Sequence, residues 1–134
     1  MIAIDTSAIL AVLLAEPEEE AFDRLMATKR MLVGAPTLVE ARLSLERRFS
    51  NRSESALRRF LTDHSVDVIS FNADMFDIAI DAFARYGKGR GHPARLNFGD
   101  CLSYAVAKAY AAPLLFKGAD FIHTDLVPAC DPAA

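Results

Sequence analysis

The sequence predicts an α/β fold: a three-layer α/β/α sandwich around a mostly parallel central sheet. Short apolar runs of strand length alternate along the chain with longer stretches whose apolar residues recur at helical spacing, and that alternation covers a parallel sheet on both faces. The first run, Ile2-Ala3-Ile4, delivers a carboxylate, Asp5, just where a helix begins, the pattern of a buried strand ending at a ligand-binding edge. With 134 residues, 52% of them hydrophobic, the chain can build one core, so residues 1–134 are expected to form a single domain.

Taken in order, Thr6 and Ser7 are the caps expected for a helix running to Ala15. Glu16-Pro17-Glu18-Glu19-Glu20 breaks that helix and restarts it, with Pro17 suited to a first helical position and the acids to the positive end of the dipole. Met31-Leu32-Val33 reads as a second strand closed by Gly34, and Pro36-Thr37 opens a third helix through Leu38, Ala41, Leu45 and Phe49. Ser53 or Asn51 starts a fourth helix, Val66 to Phe71 is a strand, and Asn72 caps a fifth helix reaching Tyr86. A glycine-rich basic loop, Gly87-Lys88-Gly89-Arg90-Gly91-His92-Pro93, precedes a helix that Asp100 opens and Pro113 stops. Leu114-Leu115-Phe116 is the next strand, and Leu126-Val127 is expected as a short edge strand.

Charged residues make up 25% of the chain and the formal net charge is −3, which argues against nucleic-acid affinity through overall charge while leaving room for a local basic surface. Cys101 and Cys130 lie far apart without zinc spacing, so both read as free thiols in a reducing, cytoplasmic setting. Residues 1–15 lack the basic start of a signal peptide, and no stretch approaches the roughly 18 apolar residues of a membrane span.

Four acids carry the chemistry. Asp5 follows the first strand, Glu40 falls in the first turn of the Pro36 helix, Asp100 opens its helix, and Asp120 lies just beyond Leu114-Leu115-Phe116. Parallel strands put these positions on one edge of the sheet. Packed carboxylates repel in a low dielectric, and a hard divalent cation resolves that conflict. Mg²⁺ or Mn²⁺ takes oxygen ligands and keeps waters, one of which can be activated against a phosphodiester. Singly, each acid also reads as a cap or a dipole partner; the conjunction points to metal.

Four segments resemble one family. Met1-Ile2-Ala3-Ile4-Asp5-Thr6-Ser7-Ala8, Pro36-Thr37-Leu38-Val39-Glu40-Ala41, Leu96-Asn97-Phe98-Gly99-Asp100-Cys101-Leu102-Ser103-Tyr104-Ala105 and Leu114-Leu115-Phe116-Lys117-Gly118-Ala119-Asp120-Phe121 are similar to the motifs of PIN-domain ribonucleases, specifically VapC-type toxins of type II (VapBC) toxin–antitoxin pairs. The resemblance implies a PIN-like fold and a Mg²⁺- or Mn²⁺-dependent endoribonuclease, a hydrolase of RNA phosphodiester bonds. It also implies a homodimer neutralised by a cognate VapB-like antitoxin. On this reading Asp5, Glu40, Asp100 and Asp120 are both the catalytic acids and the metal ligands. Many relatives carry a second acid where this chain has Ala119, and Asp125, following Thr124, competes with Asp120 for the fourth place.

Behind the acids, Thr6, Ser7 and Asn97 are candidates to orient carboxylates or a metal-bound water, as is Asp125. His64, His92 and His123 have no partner at metal spacing and read as structural or solvated. RNA phosphates have three candidate sites: Arg42, Arg47, Arg48, Arg52, Arg58 and Arg59; the loop residues Lys88, Arg90 and Arg95; and Lys117. Phe98 and Tyr86 are candidates for stacking on bases, and both read first as core. The apolar faces around Leu10, Leu13, Leu14, Phe22 and Leu25, and around Leu38, Leu45 and Phe49, are candidates for an antitoxin helix wherever the core leaves them uncovered.

Two rivals come from other classes. An aspartyl-phosphate enzyme would place a second Asp two residues after Asp5, where this chain has Ser7. A catalytically inactive PIN-fold binding module would use the apolar groove alone, and retention of all four acids argues against it.

Overall fold

The computed structural model describes residues 1–131, so positions 132–134 of the expected single domain lie outside the described residues. Ten elements follow one another: β1 (Ile2–Ile4), α1 (Thr6–Leu13), α2 (Glu19–Met26), β2 (Met31–Gly34), α3 (Ala35–Glu46), α4 (Ser53–Asp63), β3 (Val66–Ile69), α5 (Ala73–Tyr86), α6 (Phe98–Ala109) and β4 (Leu114–Leu115). The strands form one four-stranded sheet in the order β3-β2-β1-β4, with every pairing parallel.

Strand alternation builds the three layers. Ile2 and Ile4 face a cluster with Ile9, Phe22, Met26, Leu45 and Phe60, supplied by α1 to α4. Ala3 between them faces the other cluster, with Met75, Ala82, Tyr104 and Val106 of α5 and α6. Leu115 and Leu114 divide the same way.

The strand order locates the site. The chain moves outward from β1 to β2 to β3 and then returns to the far side of β1 for β4, so the order reverses between β1 and β4. Crevices at such reversals, outside the carboxyl ends of the strands, are where α/β sheets hold ligands. Asp5 sits there, its backbone N–H donating to Leu115 O at 3.0 Å.

Several boundaries depart from expectation for local reasons. Helix α1 stops at Leu13 because Ala15 takes a left-handed φ of 52°, which ends the helix before Glu16. Pro17 lies ahead of α2, whose first residue is Glu19. Strand β3 ends at Ile69, and α4 starts at Ser53 rather than Asn51. Leu126-Val127 makes no strand: the segment meets β4 only in a single parallel bridge, Leu114 with Pro128, in which Leu114 N donates to Val127 O and Ala129 N to Leu114 O. Asn72 caps α5 as expected, accepting from Met75 N at 3.0 Å.

Most of the apolar faces offered for a partner are spent on the core. Phe22 and Leu45 are buried, and Leu10, Leu13, Leu14, Leu25, Leu38 and Phe49 pack against the same cluster. Exposed apolar residues lie elsewhere, among them Val39, Leu43, Phe76, Ile80 and Phe98, with Val68 and Val127 apart from these. Among the described residues, no helix is long and apolar enough to cross a membrane. Both cysteines are free thiols.

Candidate metal centre

Asp5 is the N-cap of α1, a role expected of Thr6 or Ser7. Its carboxylate is only 5% exposed, and buried charge is costly unless hydrogen-bonded. Oδ2 accepts from Ser7 N at 3.0 Å and from Ser7 Oγ at 2.7 Å. Oδ1 accepts from Ser103 Oγ at 2.5 Å. The loop after β4 joins this arrangement, since Lys117 N donates to Ser7 Oγ at 2.9 Å.

Glu40 stands in the second turn of α3, because that helix begins at Ala35, not in the first turn. Thr6 Oγ1 donates to its Oε1 at 2.5 Å. The carboxylate lies against the start of α6 at Gly99, where a Cβ atom would collide with it. The two hydroxyls expected to serve Asp5 are thus divided, Ser7 to Asp5 and Thr6 to Glu40.

Asp100 does not open α6. Asn97 is the N-cap and Asp100 the third residue of the helix, and the two form a capping box. Asn97 N donates to Asp100 Oδ2 at 3.0 Å, while Asp100 N donates to Asn97 Oδ1 at 2.8 Å. Asn97 holds the carboxylate as expected, but through its backbone. Burial pushes the Asp100 carboxyl up to about 7 against the lowering effect of Asn97, and the negative charges of Asp5, Asp120 and Glu40 add to the rise. Three carboxylates from three separate segments therefore act on the fourth. Asp120 itself is exposed, in the turn beyond β4.

Asp125 is not among them. Its carboxylate accepts from Tyr104 Oη at 2.7 Å and from Lys108 Nζ at 2.5 Å, with Arg85 Nη2 at 4.0 Å. Partial burial raises its pKa, but Lys108 and Tyr104 outweigh that and leave it below the usual carboxylate value.

Among the described residues, no three His, Cys, Asp or Glu side chains are gathered tightly enough to hold an ion as they stand. The donor set nonetheless fits a hard divalent cation by its chemistry. It is all carboxylate oxygen, and burial together with the neighbouring negative charges raises one member to about 7.

Other expectations change. Phe98, read as core, is 78% exposed; Tyr86 is buried as expected. Lys117, offered to RNA, has its Nζ 3.3 Å from both Glu16 Oε1 and Glu18 Oε1. Arg58 pairs with Glu54, Arg42 donates to Ser53 Oγ, Arg52 lies over Phe49 and Arg90 over Phe83. His64 bridges Phe60 O and Asp23, and His92 accepts from Ala94 N, both structural contacts. Sequence reasoning missed Ser103, Thr37 behind it, and Gly99. The available signal for Ser103 was a lone hydroxyl three residues after Asp100 on an otherwise apolar helix face.

Residues 2–126 match the model of the PIN domain family. Ribonuclease VapC42 of Mycobacterium tuberculosis is 40% identical over 128 residues, covering 95% of this chain and 98% of the relative. Ribonuclease VapC30 of the same organism is 42% identical over 130 residues, covering 96% and 98%. Among solved structures, VapC20 of Mycobacterium tuberculosis, a toxin that cleaves the sarcin-ricin loop, superposes with a TM-score of 0.76 at 23% identity, covering 95% of this chain and 97% of that one. VapBC2 from Rickettsia felis, bound to a promoter DNA fragment, gives 0.76 at 17% identity, covering 96% and 97%.

Proposed function

The chain belongs to the PIN domain family, and from that premise we propose that it is a single-domain, Mg²⁺- or Mn²⁺-dependent endoribonuclease, the toxin of a VapBC-type pair. The observation that carries the reading is the Asp100 carboxyl, partly buried and facing the negative charges of Asp5, Asp120 and Glu40 from three other segments, which together hold it at about 7. Such crowding is costly in a structure without function, and a divalent cation relieves it. Relatives at 40% and 42% identity that carry the name ribonuclease support the same reaction class.

Asp5, Glu40, Asp100 and Asp120 are the proposed ligands. A divalent cation held there would supply Lewis-acid polarisation of the scissile phosphate and a water of lowered pKa. The protein's part is positioning: Ser7 and Ser103 orient Asp5, Thr6 orients Glu40, and the Asn97 capping box orients Asp100.

A VapB-like antitoxin is the proposed partner. A groove of about 850 Å³ between α1, α2 and α4, lined by Val12 and Leu13 together with Glu19, Asp23, Arg30 and Arg59, suits an amphipathic antitoxin segment. The exposed apolar residues of α3, α5 and the start of α6 are proposed as a homodimer surface. The proposed setting is the cytoplasm, where free thiols such as Cys101 and Cys130 persist.

The test is cleavage of RNA by protein freed of antitoxin. Activity in Mg²⁺ or Mn²⁺ that stops on adding EDTA is expected, and so is near-complete loss in Asp100→Asn. Undiminished cleavage in excess chelator would remove the metal from the mechanism.

A further inference from the structure

Ser103 lies in the middle of α6 and is 1% exposed, flanked along the helix by buried Tyr104, Ala105, Val106 and Ala107. A serine in that position ordinarily turns to solvent or bonds back to the carbonyl one turn earlier. This one does neither. Its Oγ crosses to β1's carboxyl end and donates to Asp5 Oδ1 at 2.5 Å, with Thr37 Oγ1 3.4 Å behind it. A hydroxyl bonded to a carboxylate at this length is charge-assisted, stronger than a neutral pair.

We propose that Ser103 is a positioning residue that fixes the orientation of the Asp5 carboxylate for cation binding, an inference that rests on the metal reading above. Ser7 holds Oδ2 through both its backbone N–H and its hydroxyl, and Ser103 holds Oδ1. Ser7 Oγ already accepts from Lys117 N, so its own proton is directed to Asp5. With donors on both oxygens, the carboxylate cannot turn about its Cβ–Cγ bond without losing one of them. Its remaining lone pairs keep a fixed direction. Cations such as Mg²⁺ demand near-ideal ligand geometry, so that direction decides affinity.

The placement of Ser103 adds a coupling. Asp100 and Ser103 are three residues apart and share a face of α6. One rigid helix therefore carries one acid of the site and the anchor of another, and the separation between Asp5 and Asp100 is set by α6 rather than by two independent side chains.

The test is calorimetric titration of the whole chain, freed of antitoxin and without RNA, using Mn²⁺ as the probe. Ser103→Ala leaves Ser7 on Oδ2 but frees the carboxylate to pivot, and the affinity is expected to fall about tenfold or more, the usual effect of removing the group that orients a ligand. Ser53→Ala is the control. Ser53 is equally buried at 1% exposure but is bonded by Arg42, away from the acids, so that variant is expected to melt lower with Mn²⁺ affinity unchanged. Should Ser103→Ala fail to fold, Ser103→Cys keeps nearly the same volume with a weak donor and is expected to lose affinity several-fold. A folded Ser103 variant that binds Mn²⁺ like the wild type, or weakens only as far as the Ser53 control, overturns the assignment. Wild-type protein that takes up no Mn²⁺ overturns the metal reading itself, and the role of Ser103 with it.

Discussion

Asp100 gives the sharpest pH prediction of any residue in the chain. Its carboxyl sits at about 7 in the folded protein against 3.8 ordinarily, so the folded state keeps a proton that the unfolded chain releases. The stability of the metal-free protein therefore falls as pH rises from about 4 to about 7. Asp100→Asn cannot ionise and should abolish that slope: its melting temperature should exceed the wild type's at pH 8 and converge with it near pH 4. Cation affinity should run the other way, because the carboxyl must deprotonate to ligate. At pH 6, about a tenth of the groups are ionised, so Mn²⁺ should bind about tenfold more weakly than at pH 8 in calorimetry. A flat affinity profile would show that no proton leaves Asp100 on binding across this range, and so would overturn its raised pKa. Gly99 is the other informative residue, needed for space rather than for its backbone freedom. A methyl group there meets only the end of the flexible Glu40 side chain, which can swing aside. Gly99→Ala should therefore cost about 1 kcal/mol or less in thermal melts while breaking the Thr6–Glu40 arrangement and lowering cleavage at least about tenfold.

At the scale of elements, the C-terminal part of α6 and the loop after β4 separate two acids that the sequence could not rank. Asp125 ties that loop to α5 and α6 through Tyr104, Lys108 and Arg85. Asp125→Ala strands the buried Tyr104 hydroxyl and should cost about 1–3 kcal/mol of stability, with cleavage largely intact. Asp120→Ala should reverse the pattern, with melting unchanged but Mn²⁺ affinity and turnover both reduced. A larger affinity loss in Asp125→Ala would exchange the two roles. The contrast also shows which features a sequence makes legible. The β1 run and the Asn72 cap depend on neighbours within a few residues and are visible as patterns, as is the Asn97–Asp100 contact, though not its capping box. The identity of α1's cap was not, because Asp5, Thr6 and Ser7 are all good cap residues, and the choice depends on Glu40 claiming Thr6. Ser103 stood out only as a lone hydroxyl on an apolar helix face, and its partner, Asp5 at the end of β1, is a crossing that no local period encodes. Phe98 looked like core because it is large and apolar; its exposure follows from the lack of an element opposite it, which only the assembled fold reveals.

For the whole molecule, the telling feature is where the apolar surface was left over. Two core clusters absorb the faces of α1 and α2 that had seemed in excess, while Val39 and Leu43 of α3, Phe76 and Ile80 of α5, and Phe98 remain in water. These side chains border two adjoining grooves that share Phe71, Phe98 and Leu102, so they form one continuous face rather than scattered exposures. A two-fold dimer uses the same patch on both subunits, so each residue is buried twice. Full burial of a large side chain contributes about 1.5–3 kcal/mol, and these five are 55–78% exposed in the single chain, so ten of them across a two-fold interface offset an association cost of roughly 4–15 kcal/mol. Sedimentation should therefore find the chain dimeric at micromolar concentration. Ile80→Asp places a charge in the middle of the face and should yield a monomer. Because Ile80 is 60% exposed in the single chain, that monomer should melt within about 0.5 kcal/mol of the wild-type subunit's own stability. The face also adjoins the acids, with Val39 next to Glu40 and Phe98 two residues before Asp100. Closing it would wall one side of the site and bring two sites to a common cleft, so cleavage per chain should fall in Ile80→Asp even though no acid is touched. A wild-type chain that stays monomeric at these concentrations would leave the face without a second copy and assign it to another partner.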